Sequence, residues 1–192
     1  MPFRLRSTLV KGNSLIFVRR HTTDVHIRPY AGEDLAALVA VFMTSVHELA
    51  ASDYTPEQLD AWAPRSPQLA AWRQRLQSLE TLVAAEGATL AGFISYSPNG
   101  HIDLLYTSPS YARRGVASLL YRSVEGTLAS AGVLEAFTEA SSVARPFFEH
   151  FGFTITETQN VLLGRYSFQR YAMRKPIGKL QGAAYDWRGH GA

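Results

Sequence analysis

The chain has 192 residues, of which 46% are hydrophobic and 18% are charged, so it can bury the core of one α/β domain. It contains no cysteine, which excludes disulfides, thiolate metal sites and a cysteine nucleophile. The net charge is +3, but residues 1–25 carry +4, residues 26–176 carry −2 and residues 177–192 carry +1. Because the central part is slightly acidic, we expect no nucleic acid to bind the domain.

The two ends of the chain differ in composition from the part between them. Residues 1–24 are rich in arginine and predict a loosely ordered basic extension, while residues 177–192 are rich in glycine and predict a loose tail. Residues 25–176 form the predicted domain. No apolar run is long enough to span a bilayer, so we expect a cytoplasmic protein without a membrane partner.

The first half of the predicted domain contains one strand, several helices and a hairpin. Helix starts are predicted where a capping residue precedes an amphipathic pattern or a proline. In chain order the pattern predicts a strand at 25–29, helices that begin at Asp34, Thr55 and Ser66, and a hairpin of residues 82–85 and 90–97.

The second half predicts strands that alternate with two helices. In chain order these are a central strand at 101–107, a long helix from Gly115 to Gly132, a strand at 134–138, a short helix from Ser142 to Gly152, and a hairpin of residues 153–158 and 168–174. The whole order predicts one mixed α/β sheet with helices on its faces.

Residues 109–120, PSYARRGVASLL, predict an anion site at the start of the long helix. The first amide groups of a helix lack intrahelical partners and lie at the positive end of its dipole, so they can bind a diphosphate. Gly115 lets a phosphate approach the main chain closely, and Arg113 and Arg114 add positive charge. A surface turn with solvated arginines is the alternative interpretation.

Residues 141–153, SSVARPFFEHFGF, add a second motif about 30 residues after the first. They resemble the last helix-to-strand turn of the GNAT N-acetyltransferases, Asn-x-x-Ala-x-x-Phe-Tyr-x-x-x-Gly-Phe. The matching residues are Ser141, Ala144, Phe147, Phe148, Gly152 and Phe153. The coenzyme motif of that family, Gln/Arg-x-x-Gly-x-Gly/Ala, is similar to residues 112–117, in which Gly115 and Ala117 fill the two small positions.

The resemblance covers roughly Val25 to Pro176 and implies the single-domain GNAT fold, a mixed and mostly antiparallel sheet flanked by helices. Residues 53–56 and 61–64 resemble the YafP-type subgroup of small bacterial acetyltransferases. The resemblance also implies an N-acetyltransferase with acetyl-CoA as its cosubstrate. Its acceptor would be an amine of a small molecule or a peptide.

The resemblance further implies that the central strand, the turn after it and the last helix hold the coenzyme. It implies that the central strand splays from its neighbour around Leu105 to Thr107, where a main-chain N–H meets the thioester carbonyl and the main chain bonds the pantetheine arm as an extra strand. The implied coenzyme-binding residues are Leu105, Tyr106, Thr107, Arg113, Arg114, Gly115, Val116, Ala117, Ser118, Ser141, Phe147 and Phe148. Three positions depart from the family pattern. Ala112 replaces the Gln/Arg that opens the coenzyme motif, Ser141 replaces an Asn, and Phe148 replaces the Tyr that often protonates the leaving thiolate.

Two carboxylates are candidates for the general base. Asp103 is the first, because a carboxylate in the otherwise apolar strand around Ile102 and Leu104 is unusual. A surface position is the alternative. Glu48, with His47 beside it, is the second, since the resemblance implies an acceptor pocket at the end of the first helix.

Several aromatic residues have two interpretations. Tyr54, Trp62 and Trp72 could line the acceptor pocket, and Tyr106 and Tyr121 are candidate acids for the thiolate. Packing in the core is the alternative for all of them.

Three functions stay open at the level of sequence. The first is the acetyltransferase. The second is a non-catalytic acyl-CoA binding or sensing module, which Ala112 and Phe148 favour. The third is a nucleic-acid or ribosome-associated factor that uses the basic residues 1–25. We expect no metal, because the histidines have no metal-ligand spacing with carboxylates, and we leave a homodimer open.

Overall fold

The computed structural model describes residues 24–177. The predicted basic extension, apart from Asp24, and the predicted tail, apart from Ile177, lie outside the described residues.

The first half of the domain contains four strands and three helices. They are β1 (His26–Pro29), α1 (Leu35–Thr44), α2 (Pro56–Trp62), α3 (Leu69–Gln77), β2 (Glu80–Glu86), β3 (Thr89–Tyr96) and β4 (Ile102–Thr107). A 3-10 turn, Gly32–Asp34, precedes α1, and a π-helical turn, Ser45–Leu49, follows it. Asp34 does not cap α1 as predicted, because its carboxylate accepts a hydrogen bond from the preceding Ala31 N–H at 2.8 Å.

The second half contains three strands and two helices. They are α4 (Val116–Ser130), β5 (Glu135–Ser141), α5 (Arg145–His150), β6 (Thr154–Leu163) and β7 (Tyr166–Pro176). Before α5 it is the Ser141 hydroxyl, and not the predicted Ser142, that accepts a hydrogen bond from the main chain, from the Ala144 N–H at 3.2 Å.

The strands form a sheet in two parts. One part has the order β1-β2-β3-β4 and the other the order β5-β7-β6, and every pairing within each part is antiparallel. The parts meet at one parallel bridge between His101 and Phe137. The predicted α/β class, with a mixed and mostly antiparallel sheet flanked by helices, is confirmed.

Two hydrophobic clusters cover the two faces of the sheet. The first contains Leu120 and Tyr121 of α4 with Met173 of β7, and the second contains Leu38 of α1 with Phe93 of β3. In the described part of the chain, no helix is both long and apolar enough to cross a membrane.

Gly92 in β3 brings the start of α4 close to the end of β4. A Cβ at Gly92 would lie 2.7 Å from the Tyr106 carbonyl oxygen and 3.1 Å from the Val116 side chain. A larger residue would therefore push α4 away from the strand that precedes it.

Candidate active site

β4 and β5 run side by side only at their beginnings and then separate. The Phe137 N–H donates to the Gly100 carbonyl at 3.0 Å, and the Thr138 hydroxyl donates to the Ile102 carbonyl at 2.9 Å. Beyond these contacts the two strands belong to different parts of the sheet. A fork therefore opens between them, and we call it the β4–β5 fork.

Leu105 and Thr107 present their main chain to the β4–β5 fork. The Ser108 N–H donates to the Ala91 carbonyl of β3 at 2.9 Å, and such bonds alternate along an antiparallel strand. Tyr106 therefore bonds to β3, whereas the amide and carbonyl groups of Leu105 and Thr107 face the fork. An extended ligand could pair with them as an extra strand.

The turn between β4 and α4 presents a row of N–H groups. After the 3-10 turn at Pro109–Tyr111, both Arg113 (φ +61°) and Gly115 (φ +83°) have left-handed backbones. The helix then begins at Val116. Within residues 24–177, the amides of residues 116–118 have no main-chain acceptor, as expected for the first turn of a helix. With the helix dipole behind them, these amides favour an anion.

Gly115 is suited to this turn by its backbone conformation and by the open space around it. Its φ of +83° is one that glycine adopts easily and that most other residues avoid. A Cβ built on Gly115 would meet no heavy atom within 4 Å. A ligand can therefore approach the main chain here without displacing protein atoms.

The two arginines of the turn have different surroundings. The Arg114 guanidinium lies over the Tyr111 ring, 4.9 Å from its centroid, and donates to the Ser110 carbonyl at 3.2 Å. The Tyr111 hydroxyl in turn donates to Glu86 at 2.6 Å, and this hydrogen bond raises the pKa of Tyr111. Arg113 is exposed. Arg114 therefore stabilises the turn, and Arg113 is the better placed of the two for a ligand.

Asp103 is not the isolated carboxylate that the sequence suggests. The Arg75 guanidinium of α3 donates to its Oδ2 atom from Nε at 3.1 Å and from Nη2 at 2.8 Å. Asp103 is also the extra residue of a β-bulge, because Ser95 pairs with Leu104 while Tyr96 pairs with Ile102. The bulge lets Asp103 face α3 although both its neighbours are buried.

Tyr106 lies on the face of β4 that packs against α1. Its ring stacks on Phe93 at 5.6 Å and meets the Phe42 ring edge-on at 5.0 Å. Burial raises the pKa of Tyr106 to about 12, while contact with the Trp62 side chain acts in the opposite direction. The hydroxyl therefore stays protonated over the physiological range.

The aromatic residues predicted to line an acceptor pocket pack in two groups, one around Trp62 and one around Trp72, and we call these together the aromatic wall. Trp62 meets the Tyr54 ring at 5.4 Å and the Phe168 ring of β7 at 6.2 Å, while Trp72 packs on Phe42 at 4.8 Å. Tyr54, Trp62 and Trp72 are all partly buried against the core, and their lining of an acceptor pocket stays a prediction.

The end of the first helix contributes Glu48 and His47. Both lie in the π-helical turn, a feature that occurs often at functional sites. The His47 Nε2 atom lies 2.8 Å from the Ala63 carbonyl and 3.9 Å from an Asp60 carboxylate oxygen. These contacts fix the imidazole ring beside α2. Glu48 is exposed.

The last helix supplies a buried aromatic cluster. Phe148 is buried against Phe153, with ring centroids 5.1 Å apart, and Phe147 packs edge-on against Phe148 at 5.3 Å. The Tyr121 hydroxyl donates to Glu125 at 2.8 Å, and burial and this bond raise the pKa of Tyr121 far above its usual value. Tyr121 is therefore a poor candidate for an acid.

Among the residues that the sequence singles out, Tyr121 contacts both Phe147 and Phe148. Asp103 and Tyr106 lie on the strand that borders the fork, and the turn between β4 and α4 follows this strand directly. Sequence reasoning missed Arg75, which is 28 positions from its partner, and Thr138, which holds the base of the fork. In residues 24–177 no group of three or more His, Cys, Asp or Glu residues could hold a metal ion.

Comparison with known proteins gives consistent results. Residues 50–174 match the family model described as the acetyltransferase (GNAT) domain. The chain is 34% identical to the N-acetyltransferase YafP of Escherichia coli over 151 residues, which are 79% of this chain and 95% of YafP.

Solved structures agree with these sequence matches. A GCN5-related N-acetyltransferase from Rhodopseudomonas palustris superimposes with a TM-score of 0.75 at 32% identity, over 79% of this chain and 94% of that one. The PaiA N-acetyltransferase of Thermoplasma acidophilum, solved with coenzyme A, shares the fold with a TM-score of 0.66 at 24% identity, over 79% and 98% of the two chains. By the family model and by its likeness to YafP, this chain belongs to the GNAT N-acetyltransferases.

Proposed function

We propose that the protein transfers the acetyl group of acetyl-CoA to a primary amine by direct attack in a ternary complex in the cytoplasm. The observation that carries this proposal is that the β4–β5 fork is followed directly by the turn between β4 and α4. The fork offers main-chain groups to an extended arm, and the turn offers amides to a diphosphate. Those are the two recognition features that coenzyme A carries.

The diphosphate is assigned to the amides of residues 113–118 and the pantetheine arm to Leu105 and Thr107. A main-chain N–H around Leu105 to Thr107 would then polarise the thioester carbonyl. Ala112 offers no side-chain contact to the phosphates, so the main chain and Arg113 carry that part of the affinity. We assign Ser141 at the end of β5, together with Phe147 and Phe148 of α5, to the other side of the site.

The transfer needs the amine to lose a proton and the thiolate to leave. The amine nitrogen attacks the thioester carbonyl carbon, a C–N bond forms, and the C–S bond breaks with its electron pair on sulfur. The proton of the amine passes to a general base, either directly or through water, and the thiolate takes a proton from the solvent. The products are an N-acetyl amide and free CoA.

Asp103 is our first candidate for the base, and Glu48 is the second. Asp103 lies two positions before Leu105, and its side chain is 23% exposed, so a substrate can reach it. We expect Asp103→Ala to lower turnover roughly 100-fold while coenzyme affinity stays within about twofold. Steady-state kinetics and calorimetry with acetyl-CoA check both numbers. A large loss in Glu48→Ala with Asp103→Ala unchanged would move the role to Glu48.

A thiol-release assay tests the function as a whole. The full chain is given acetyl-CoA and one of a panel of probes: spermidine, an aminoglycoside, phenethylamine or a peptide with a free N-terminus. Amine-dependent release of CoA, with the acetylated amine found by mass spectrometry, supports the proposal and identifies the acceptor class. Tight binding of acetyl-CoA without release for any amine would instead support the non-catalytic binding module.

A further inference from the structure

We propose that Arg75 is a positioning residue that sets the orientation of the Asp103 carboxylate for proton removal from the acceptor amine. This inference rests on the role given to Asp103 above.

The geometry of the ion pair leaves one oxygen of Asp103 available. Arg75 donates from both Nε and Nη2 to the same atom, Oδ2, at 3.1 and 2.8 Å. Within residues 24–177, Oδ1 has no hydrogen-bond donor. The two bonds to Oδ2 fix the plane of the carboxylate, so Oδ1 keeps one direction in which it can accept the proton of an amine or of a bridging water.

The position of Asp103 requires such an anchor. It is the extra residue of the β-bulge, so it lacks a partner in the β3–β4 register that would orient it. Its carboxylate is also only partly buried. Without Arg75 the side chain would be free to take other rotamers.

Arg75 is itself held in place by the aromatic wall. Its guanidinium lies over the Trp72 ring, 5.9 Å from the centroid, and Trp72 packs on Phe42, which contacts Tyr106. The other side of Arg75 borders an open depression that is also lined by Ala71, Gln74, Gln77 and Ser78.

The other polar groups near Asp103 have their own partners. His101, two residues earlier and just before β4, is paired with Glu139 of β5 at 2.8 Å. The Tyr106 hydroxyl lies against Trp62 and experiences the charges of both Arg75 and Asp103. Arg75 is thus the group that determines how the carboxylate is oriented.

A double-mutant cycle in turnover tests the inference. The variants are Arg75→Gln, Arg75→Lys, Asp103→Asn and the Arg75→Gln/Asp103→Asn double variant, assayed with the best amine of the panel. Arg73→Gln is the matched control, since Arg73 is exposed on the same helix and does not contact Asp103. We expect Arg75→Gln to lower kcat about tenfold with the KM for acetyl-CoA unchanged, and Arg75→Lys to restore part of it.

The decisive result is the effect of Arg75→Gln in the Asp103→Asn background. If Arg75 acts through the carboxylate, the second substitution causes no further loss of kcat. Equal losses in both backgrounds, or no loss in Arg75→Gln, would overturn the role of Arg75 while leaving Asp103 as the base. An unchanged rate in Asp103→Asn would overturn the base assignment itself. Because an exposed ion pair adds little stability, the melting temperature of Arg75→Gln should fall by less than about 5 °C, which separates an orienting role from a folding defect.

Discussion

At the scale of single residues, Gly115 has a left-handed backbone and open space around it. Two substitutions there can therefore separate the effect of a side chain from the effect of a charge on acetyl-CoA affinity. Asp and Asn have nearly the same shape, and both tolerate a left-handed φ better than most residues do. We expect Gly115→Asp to abolish acetyl-CoA binding, because it places a negative charge beside the diphosphate. Gly115→Asn should keep most of the affinity. Calorimetry measures both variants.

Two outcomes would contradict the phosphate assignment. Unchanged affinity in Gly115→Asp would show that the diphosphate lies elsewhere. Equal loss in both variants, with both folds intact by circular dichroism, would show that the side-chain volume matters and the charge does not.

Phe148 tests whether the reaction needs a dedicated acid. A CoA thiol with a pKa near that of cysteine, roughly 8.5, is a fair leaving group without protonation. We therefore expect Phe148→Tyr to raise kcat by less than about tenfold, or a little over 1 kcal/mol of barrier. Stopped-flow measurement of thiol release in single turnovers checks this number.

The two tyrosines that are candidate acids, Tyr106 and Tyr121, test the alternative that the reaction does use an acid. Tyr121→Phe should lower the free energy of unfolding by about 1 kcal/mol, since its hydroxyl is bonded to Glu125, and should leave the rate unchanged. A fall of more than about 100-fold in kcat for Tyr106→Phe, with coenzyme affinity intact, would show that Tyr106 acts as the acid.

Which residues the sequence can predict depends on how local their roles are. Gly115 and Phe148 can be proposed from the sequence because each lies in a short motif whose spacing is visible in the chain. Arg75 could not be found, since its partner is on another element and an exposed arginine on a helix has no distinguishing pattern. The ion pair depends on the packing of α3 against β4, which is a property of the folded molecule.

At the scale of elements, β1 is joined to the beginning of α1 by one carboxylate. Asp34 accepts hydrogen bonds from Arg28 at 2.6 and 2.8 Å and from the Ala31 N–H at 2.8 Å. The hydrogen bonds from Arg28 hold the pKa of the Asp34 carboxyl below its usual value. The ionised form is therefore favoured by folding.

We expect Asp34→Asn to lower the free energy of unfolding at pH 7 by about 2 kcal/mol, as for other buried charged hydrogen bonds. Because the folded pKa lies below the unfolded one, the contribution is complete above the unfolded pKa, near 3.9. It is lost as the pH falls through the folded pKa. Urea denaturation of both proteins between pH 7 and pH 3 checks this. If the free energies of unfolding of the two proteins differed by the same amount at every pH down to 3, the prediction would be wrong.

Element boundaries were predictable only where periodicity is strong. The long helix α4 was predicted from Gly115 to Gly132 because its apolar residues recur at helical spacing. The strand at 153–158 in fact continues to Leu163, and its residues are exposed on both faces, so no alternation marks its end. Its length is set by pairing with β7 across the turn at Gly164.

At the scale of the whole molecule, the proposed coenzyme site extends across both parts of the sheet. A ligand that binds only the folded protein adds about 2.7 kcal/mol to the free energy of unfolding at 100 times its Kd. For a domain of this size the melting temperature should rise by about 5–10 °C. Differential scanning fluorimetry with acetyl-CoA measures the rise, and Gly115→Asp serves as the control. An equal rise in that variant would contradict binding at the turn.

The overall architecture followed from the order of predicted elements and from two local motifs. At the level of sequence only the family resemblance implies the β4–β5 fork, because residue patterns do not show which hydrogen bonds are absent between neighbouring strands. His101 and Phe137 carry no sequence signal that marks them as the last pair before the strands separate.

The β4–β5 fork also bears on self-association. An unpaired strand edge is normally a hazard, because a strand of another molecule can add to it and begin an aggregate. Here the open edge at Leu105 and Thr107 belongs to β4, and the bridge between His101 and Phe137 places the other part of the sheet next to the beginning of this edge. A slender extended chain can enter the β4–β5 fork, whereas the edge of another folded sheet is blocked by the neighbouring strands. The same geometry that leaves the main chain open to a small ligand therefore shields it from other copies of the protein.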